Sequence, residues 1–245
     1  MNRETISLLA HADHPIAAPL DDTSVRLLLE RAVRGGDERL LDLGCGTAPW
    51  LLRALAAHPG VTGAGVDTSA EALELARAAA EQAGVGSRLR LHRRDAVGFT
   101  AAEPFDVVLS VGAGHAFGGL LPTLDAARAL LAPGGRVLAG EAFWLREPSA
   151  AARELLGDCQ DLAGTMAEVA AHGWIPVFGH ISTRQELDDY EWCWTGSLAA
   201  WALDHPGEPG SAEALAASAG HRTQWLEGYR DSFGFVTLVL RRTDE

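Results

Sequence analysis

The sequence predicts an α/β fold in which a mostly parallel sheet is flanked by helices. Short apolar segments alternate with amphipathic segments, which is the order that a parallel sheet requires. Continuous apolar runs such as Val107-Val108-Leu109 are typical of strands buried on both faces. The chain has 245 residues, 47% of them hydrophobic, so it can bury the core of one domain of this class.

The elements follow one another along the chain. A helix is predicted to begin near Asp22–Ser24, whose side chains can cap it, and to stop at Gly35-Gly36. After Pro148 we expect one helical stretch to about His172, then a strand at 175–178, which Pro176 places at or near a sheet edge. The remaining expected strands are 40–44, 62–66, 89–94, 106–111, 135–141 and 234–241, and the helices among them are 49–57, 69–83 and 119–131.

A glycine turn follows the first strand, in the run Asp42-Leu43-Gly44-Cys45-Gly46. Such glycines let the backbone turn tightly and approach a ligand closely, so the turn indicates a nucleotide-cofactor loop. A dinucleotide loop needs a third small residue where this chain has Pro49. The acid at Asp42 favours a ligand that carries an ammonium group, such as S-adenosylmethionine.

Two further acids end the next two strands. Asp67 follows Asp42 by 25 residues, close to the offset of about 20 at which an acid reaches the ribose hydroxyls in such sheets. Asp95, which is followed by Ala96, ends the third strand, where its carboxylate can accept from an adenine amino group. Each acid alone is also explained as a strand-end or helix-capping residue. Their occurrence at three successive strand ends favours the cofactor site.

These motifs resemble those of the class I S-adenosylmethionine-dependent methyltransferases over roughly residues 25–145. His14–Leu20 and Gly140–Trp144 resemble a bacterial, largely uncharacterised, small-molecule branch of that family. One departure is Ala48, where many members have glycine. The resemblance implies a Rossmann-like, seven-stranded, mostly parallel sheet with an antiparallel last strand, helices on both faces and a helical cap. The expected S-adenosylmethionine-binding residues are Asp42, Gly44, Cys45, Gly46, Asp67, Thr68, Asp95, Ala96 and Ser110.

We expect one methyltransferase domain over residues 1–245, in three parts. Residues 1–24 form an N-terminal flap, 25–183 the cofactor-binding core, and 184–232 a helical cap inserted before the last strand. The cap is far longer than the roughly 2–6 residues of an ordinary connection. Apolar side chains in it recur at three- and four-residue spacing, which predicts one helix face that either meets substrate or packs the cap: Leu187, Tyr190, Trp194, Leu198 and Trp201.

Substrate is expected beyond the carboxyl ends of the strands. His115 and Glu141, after the fourth and fifth strands, are therefore the candidate catalytic residues. His115 is a candidate general base, or it only orients its loop or packs under the flap. Glu141 is an alternative base, a group that holds an amine, or a strand-end acid bonded to backbone amides. In-line methyl transfer to a thiolate, phenolate or neutral amine needs no base. The candidate substrate-binding residues suggest a mainly apolar or aromatic small-molecule acceptor: His14, Phe143, Trp144, Tyr190 and Trp194.

Charge and composition exclude several classes of partner. The formal charge of −13 opposes nucleic acids and anionic membranes, because binding to either relies on basic side chains. The sequence has neither an apolar run of about 18 residues nor a secretory leader, so we expect a cytoplasmic protein with no membrane partner. Three cysteines without metal spacing predict no disulfide framework and no metal site. Oligomeric state is not indicated.

Other functions fit the sequence less well. An aminopropyl transferase shares the fold and cofactor type, but it needs paired acids after the fourth strand, where this chain has Gly112-Ala113-Gly114-His115. A NAD-dependent oxidoreductase is disfavoured by Pro49 and Asp42. A non-catalytic S-adenosylmethionine-binding protein stays open.

Overall fold

One seven-stranded sheet organises the fold of residues 1–243, the part of the chain that the computed structural model describes. The strand order is β3-β2-β1-β4-β5-β7-β6; β1 to β5 pair in parallel, and β7 runs antiparallel to β6. This arrangement confirms the predicted sheet with its antiparallel last strand. The strands are β1 (Arg39–Leu43), β2 (Thr62–Asp67), β3 (Leu89–Arg93), β4 (Phe105–Ser110), β5 (Leu131–Trp144), β6 (Trp174–Ile181) and β7 (Phe233–Arg242).

Helices occupy the segments between and before the strands. They are α1 (Arg3–Ala10), α2 (Asp22–Ala32), α3 (Pro49–Ala57), α4 (Ala70–Gln82), α5 (Leu120–Leu130), α6 (Ala150–Leu156), α7 (Leu162–Ala171), α8 (Arg184–Asp204) and α9 (Ser211–Thr223).

The helices depart from the sequence analysis in three places. The first is α1, which was not predicted, although the Asn2 side chain caps it by accepting from the Thr5 amide at 2.8 Å. The single stretch expected after Pro148 is two helices, because Gly157 adopts a φ of 81° and ends α6. The sequence predicts a second cap helix from Ser211 to about Asp231; α9 ends as an α-helix at Thr223, and the chain continues as π-helical turns over Gln224–Tyr229.

The chain divides into two compact units. We call the first the cap unit; it comprises Met1–Leu20, Ala142–Thr165 and Ser182–Phe235. The second, the core unit, comprises Asp21–Glu141, Met166–Ile181 and the chain from Val236 onward. Residues 1–20 of the predicted flap thus fall in the same unit as the predicted cap.

The core unit is built on buried leucine and valine. Leu40, Leu41 and Leu43 of β1 are fully buried, as are Val107 and Val108 of β4. Burying each such side chain contributes about 1.5–3 kcal/mol. Because both faces of these strands are buried, Asp42 is carried into the interior between Leu41 and Leu43 and is only 3% exposed.

Strand β6 lies at the edge of the sheet, as Pro176 predicted. Its pairing with β7 shifts register between Pro176 and Phe178, where Val177 bulges from the ladder. Proline lacks the N–H that a second neighbour would require, so the edge position is consistent with the residue.

The cap unit is held together by α8. A capping box starts this helix: the Thr183 hydroxyl accepts from the Glu186 amide and the Glu186 carboxylate accepts from the Thr183 amide at 2.7 Å. One cluster joins α8 to α1 and α9 through Leu198, Ala202, Ala10 and Ala214, with Trp194 and Trp201 packed against it. Much of the apolar stripe on α8 therefore packs helices together.

Candidate active site

The predicted cofactor loop joins β1 to α3 through three residues with positive φ. These are Gly44 (81°), Gly46 (53°) and Ala48 (58°). The Gly44 and Cys45 amides donate to the Val66 carbonyl at 2.9 and 3.0 Å, which ties the loop to β2. The loop geometry thus explains the two glycines and places Ala48 in a conformation that glycine adopts more readily.

The two glycines serve different purposes. A Cβ on Gly44 would lie 2.4 Å from the Cβ of Ala113, in the loop after β4, so only glycine allows these loops to approach so closely. A Cβ on Gly46 would meet nothing within 4 Å. The space beside Gly46 is therefore open for a ligand.

Asp67, at the end of β2, is fixed by two backbone amides. Its Oδ2 accepts from the Gly46 amide at 2.8 Å, and its Oδ1 accepts from the Ser69 amide at 2.9 Å. Each carboxylate oxygen keeps one further lone pair, because an ionised carboxylate accepts at about four sites. Asp67 can thus accept from two neighbouring hydroxyls, such as those of a ribose. The next residue, Thr68, is exposed.

Asp42 is a buried acid with an unused oxygen. Its Oδ2 has no hydrogen-bond partner in the described chain. Burial, and then the charge of Asp67, together raise its pKa from 3.8 to about 7. A cation close to Asp42 would reverse part of that rise, so this site favours a ligand with a positive charge.

Cys45 lies in the same buried cluster and is unreactive. Burial, and then the charges of Asp42 and Asp67, raise the pKa of its thiol. Its Sγ packs so close to β2 that a Cβ on Gly65 would lie 2.7 Å away. Cys45 therefore fills space under the loop.

The acid predicted for the adenine side, Asp95, is exposed at the end of β3. Its Oδ1 accepts from the Val97 amide at 2.8 Å and so stabilises the turn. The neighbouring Ala96 is 8% exposed. The other carboxylate oxygen of Asp95, Oδ2, has no hydrogen-bond partner in the described residues and can accept a hydrogen bond from a ligand amino group.

The ends of β4 and β5 carry the other core-unit candidates. Ser110 is buried, and its hydroxyl donates to the Leu43 carbonyl at 3.3 Å, so it joins the ends of β4 and β1. His115 is exposed in a short 3-10 turn, and its side chain makes no hydrogen bond within residues 1–243. Glu141 is half-buried in β5. An unconstrained imidazole such as His115 is free to meet a substrate proton.

The cap unit contains the predicted substrate-binding residues, and it brings two of them together. The His14 ring meets the Tyr190 ring edge-on at 5.4 Å, and its Nδ1 lies 2.8 Å from the Ile16 carbonyl. Phe143 and Trp144 are buried elsewhere in the unit: a Cβ on Gly234 would strike the Phe143 ring, and Trp144 packs with Trp225 and Tyr229. Trp194 stacks on His221 at 3.9 Å.

The sequence did not point to a buried polar network beside these residues. Glu191 is 7% exposed; its Oε1 accepts from the Tyr229 hydroxyl at 2.7 Å, and its Oε2 lies 2.7 Å from His221 Nε2. The Tyr190 hydroxyl shares a 3.0 Å hydrogen bond with His11 Nε2. Burial, and then Glu191, raise the pKa of both Tyr190 and Tyr229, so both remain phenols at neutral pH.

A small cavity opens beside this network inside the cap unit. Its volume is about 200 Å³, and it is lined by Ala17, Ala18, Pro19, Leu156, Leu187, Tyr190, Glu191, Tyr229, Phe233 and Phe235. The walls are mostly apolar, with the two phenols and one carboxylate as polar groups. The core unit has a larger cavity of about 710 Å³, whose lining includes Arg39 and Phe105. None of the predicted site residues lines it.

No metal centre is apparent: within residues 1–243, no three His, Cys, Asp or Glu side chains are grouped so that they could hold an ion. The same residues contain no helix of the length and apolarity that crossing a bilayer requires.

Comparison with known proteins agrees with this fold. Residues 41–137 match the family model of the methyltransferase domain. The crystal structure of an S-adenosylmethionine-dependent methyltransferase from Geobacter sulfurreducens, in complex with S-adenosylhomocysteine, has a TM-score of 0.89 at 24% identity over 97% of this chain and 98% of that one. A Thiobacillus denitrificans enzyme described in the same terms has a TM-score of 0.88 at 25% identity over 99% of each chain.

A bacterial protein without an assigned function is also similar over its whole length. The uncharacterised Escherichia coli protein YjhP is 26% identical over 246 residues, which are 98% of this chain and 99% of YjhP. Its X-ray structure has a TM-score of 0.87 over 97% of this chain. The predicted resemblance is confirmed: residues 41–137 carry a methyltransferase domain, and the chain is similar over almost its whole length to solved S-adenosylmethionine-dependent methyltransferases.

Proposed function

We propose that this protein binds S-adenosylmethionine at the strand ends of the core unit and transfers its methyl group to a small-molecule acceptor. The observation that carries the proposal is the Asp67 carboxylate, which two backbone amides hold in place beside the open space at Gly46. A carboxylate so fixed is ready to accept from the two ribose hydroxyls without reorganising. The neighbours crystallised with S-adenosylhomocysteine support this cofactor.

Asp42 and Asp95 complete the proposed cofactor contacts. Asp42 presents a buried oxygen with no partner in the described residues, which suits a ligand that bears an ammonium group. Asp95 is exposed at the neighbouring strand end and can accept from the adenine amino group. Ser110 and Cys45 would contribute through shape, because the Ser110 hydroxyl already donates to Leu43 and the Cys45 thiol is buried.

The main contribution of the protein to methyl transfer is to position the methyl donor and the acceptor. S-Adenosylmethionine brings a methyl group already activated on a sulfonium, which an acceptor lone pair displaces in line. Good alignment can contribute up to about 7–11 kcal/mol toward lowering such a barrier. His115 is the proposed general base for an acceptor that must lose a proton, since its imidazole is exposed and makes no side-chain hydrogen bond in the described residues.

The cavity in the cap unit limits the acceptor we propose. A volume of about 200 Å³ admits a molecule of about the size of a substituted benzene ring, and the walls are apolar apart from Tyr190, Tyr229 and Glu191. The two phenols can orient one polar group of an otherwise apolar acceptor. We therefore propose a small, mainly apolar or aromatic acceptor. We also propose the cytoplasmic localisation that the sequence analysis predicts.

Turnover tests the proposed activity. The protein is incubated with S-adenosylmethionine and a panel of small phenols, amines and thiols, and release of S-adenosylhomocysteine is measured. At least one acceptor class is expected to cause release of S-adenosylhomocysteine by the wild type. The variant Leu187→Trp, whose larger side chain fills the cavity, is expected to lose this activity but still to bind the cofactor. A control, Leu75→Trp on the exposed face of α4, is expected to turn over normally. If S-adenosylmethionine binds but no panel member is methylated, a non-catalytic binding protein becomes the better account.

A further inference from the structure

Four of the six residues that line a second cavity of the core unit are arginines. Its volume is about 180 Å³, and its lining residues are Arg31, Arg34, Arg136, Val177, Phe178 and Arg241. None of them belongs to the proposed methyltransferase site. We call it the arginine cavity.

The arginine cavity is assembled from four separate elements. Arg31 lies in the last turn of α2, and Arg34 lies two residues beyond that helix. Arg136 lies near the start of the regular pairing of β5, opposite Val107 of β4, and Arg241 lies near the end of β7. All twenty basic residues of this chain are arginine, and its net charge is −13. Four of the twenty therefore converge on one small space.

Three of the four arginines of the cavity carry a charge that no carboxylate among the described side chains neutralises. Arg31, Arg34 and Arg136 pair with no carboxylate within residues 1–243; the Arg31 guanidinium lies 4.9 Å from the centre of the Phe178 ring. Burial, and then the charges of Arg241 and Arg34, lower the pKa of Arg136, and Glu38 opposes that effect. The cations thus repel one another.

Glu38 is the acid whose charge raises the pKa of Arg136, but its oxygens already accept hydrogen bonds from backbone amides. Its Oε1 accepts from the amides of Arg34 and Gly35 at 2.5 and 2.6 Å, and its Oε2 accepts from the amide of Gly36 at 2.7 Å. Glu38 therefore closes the loop after α2 and makes no ion pair with the arginines of the cavity.

Two other arginines of the core unit, Arg88 and Arg39, already bind protein acceptors. Arg88 donates to the carbonyls of Leu55, His58 and Val61, and Arg39 pairs with Glu103 at 2.8 Å. Both line the larger cavity of the core unit, where their charge and donors are occupied. The arginine cavity differs because it offers several guanidinium groups with few protein acceptors.

We propose that the arginine cavity binds a dianionic phosphate group, either as inorganic phosphate or as the phosphate of a small phosphomonoester. Planar guanidinium groups donate two parallel hydrogen bonds to phosphate oxygens, and a dianion offsets more of the repulsion than one carboxylate does. A volume of about 180 Å³ admits the phosphate and a few carrier atoms, for which Val177 and Phe178 provide an apolar wall.

Thermal unfolding with inorganic phosphate tests the proposal. The wild type, Arg136→Gln and the control Arg26→Gln are compared at constant ionic strength, with chloride replacing phosphate. Arg26 is a matched control because it is on α2 but exposed and paired with Glu30. Phosphate is expected to raise the Tm of the wild type and the control to a plateau, and Arg136→Gln is expected to bind at least about tenfold more weakly, since it loses charge-assisted hydrogen bonds.

Two further measurements complete the test. In buffer without phosphate, Arg136→Gln is expected to be at least as stable as the wild type because it removes repulsion; if it fails to fold, Arg31→Gln replaces it. Glycerol 3-phosphate is tested in parallel: a plateau with both compounds indicates a phosphomonoester site, and a plateau with inorganic phosphate alone indicates a free-anion site. A Tm that does not rise, or that rises equally in all variants without a plateau, would overturn the proposal.

Discussion

The core unit and the cap unit hold their functional polar residues in different ways. In the core unit, backbone amides of a turn fix the key carboxylate: Asp67 accepts from Gly46 and Ser69. In the cap unit, side chains hold one another: Glu191 contacts Tyr229 and His221, and Tyr190 contacts His11. We therefore expect changes at the core-unit site to alter ligand binding or turnover, and changes in the cap-unit network to alter stability.

The largest effect is expected from His115→Gln. Since His115 is exposed and has no side-chain hydrogen bond in the described chain, its replacement should leave the Tm unchanged. With an acceptor that must lose a proton, kcat should fall by roughly 10²–10⁴-fold. Steady-state kinetics across pH measure this. A loss confined to KM would make His115 a positioning residue, and unchanged kinetics would remove it from the site.

Glu191→Ala tests the cap unit. It leaves the Tyr229 hydroxyl and the His221 ring without their shared acceptor. The cost is about 1–3 kcal/mol for the buried Tyr229 hydroxyl and smaller for His221, whose side chain is 27% exposed. Urea unfolding should show a lower free energy of unfolding, while S-adenosylmethionine affinity is retained. The control is Asp189→Ala on the exposed face of α8, for which a change within about 0.5 kcal/mol is expected. Equal stability of the two variants would contradict the contrast between the units.

Asp42→Asn separates stability from binding within the core unit. The pKa of Asp42 is 3.8 when exposed and about 7 in the folded protein, so between these values the folded wild type keeps a proton that the unfolded chain releases. Its free energy of unfolding should therefore fall as the pH rises from 4 to 7, relative to the variant, and stay lower above pH 7. The variant should be the more stable protein at pH 8 but bind S-adenosylmethionine more weakly. Parallel pH profiles of the two proteins would refute this role.

The smallest effect is expected from Ala48→Gly. Ala48 has a φ of 58°, a conformation that costs a non-glycine residue about 1–2 kcal/mol and that glycine adopts without strain. Glycine also makes the unfolded chain more flexible, which stabilises the unfolded state by about 0.4–1 kcal/mol and opposes that gain. The free energy of unfolding of the variant should therefore rise by about 0–1.6 kcal/mol, whereas that of Ala78→Gly within α4 should fall by about 1 kcal/mol. Thermal unfolding of both variants checks the difference. A loss at Ala48 as large as that at Ala78 would show that the turn is not strained.

The sequence could predict the core unit because its signals are local. Strand, glycine turn and helix follow one another over residues 40–57, and the acids of β2 and β3 occur at the ends of apolar runs. The cap-unit network could not be predicted, because Glu191 meets His221 and Tyr229 at separations of 30 and 38 residues on another helix and the turns beyond it. A charged residue inside an apolar stripe of α8 was the one available signal. Gly157, in contrast, is a local signal that the prediction of one continuous helix did not use: a glycine with a φ of 81° ends α6.

The most direct test of the account is calorimetric titration of S-adenosylmethionine into the wild type and Asp67→Asn. Asp125→Asn, an exposed acid of the core unit that pairs with His172, is the matched control. We predict that the wild type and the control bind alike, that NAD does not bind, and that Asp67→Asn binds about 10–100-fold more weakly because a neutral amide replaces the fixed carboxylate. Wild-type affinity in Asp67→Asn, or comparable binding of NAD, would contradict the proposed cofactor site.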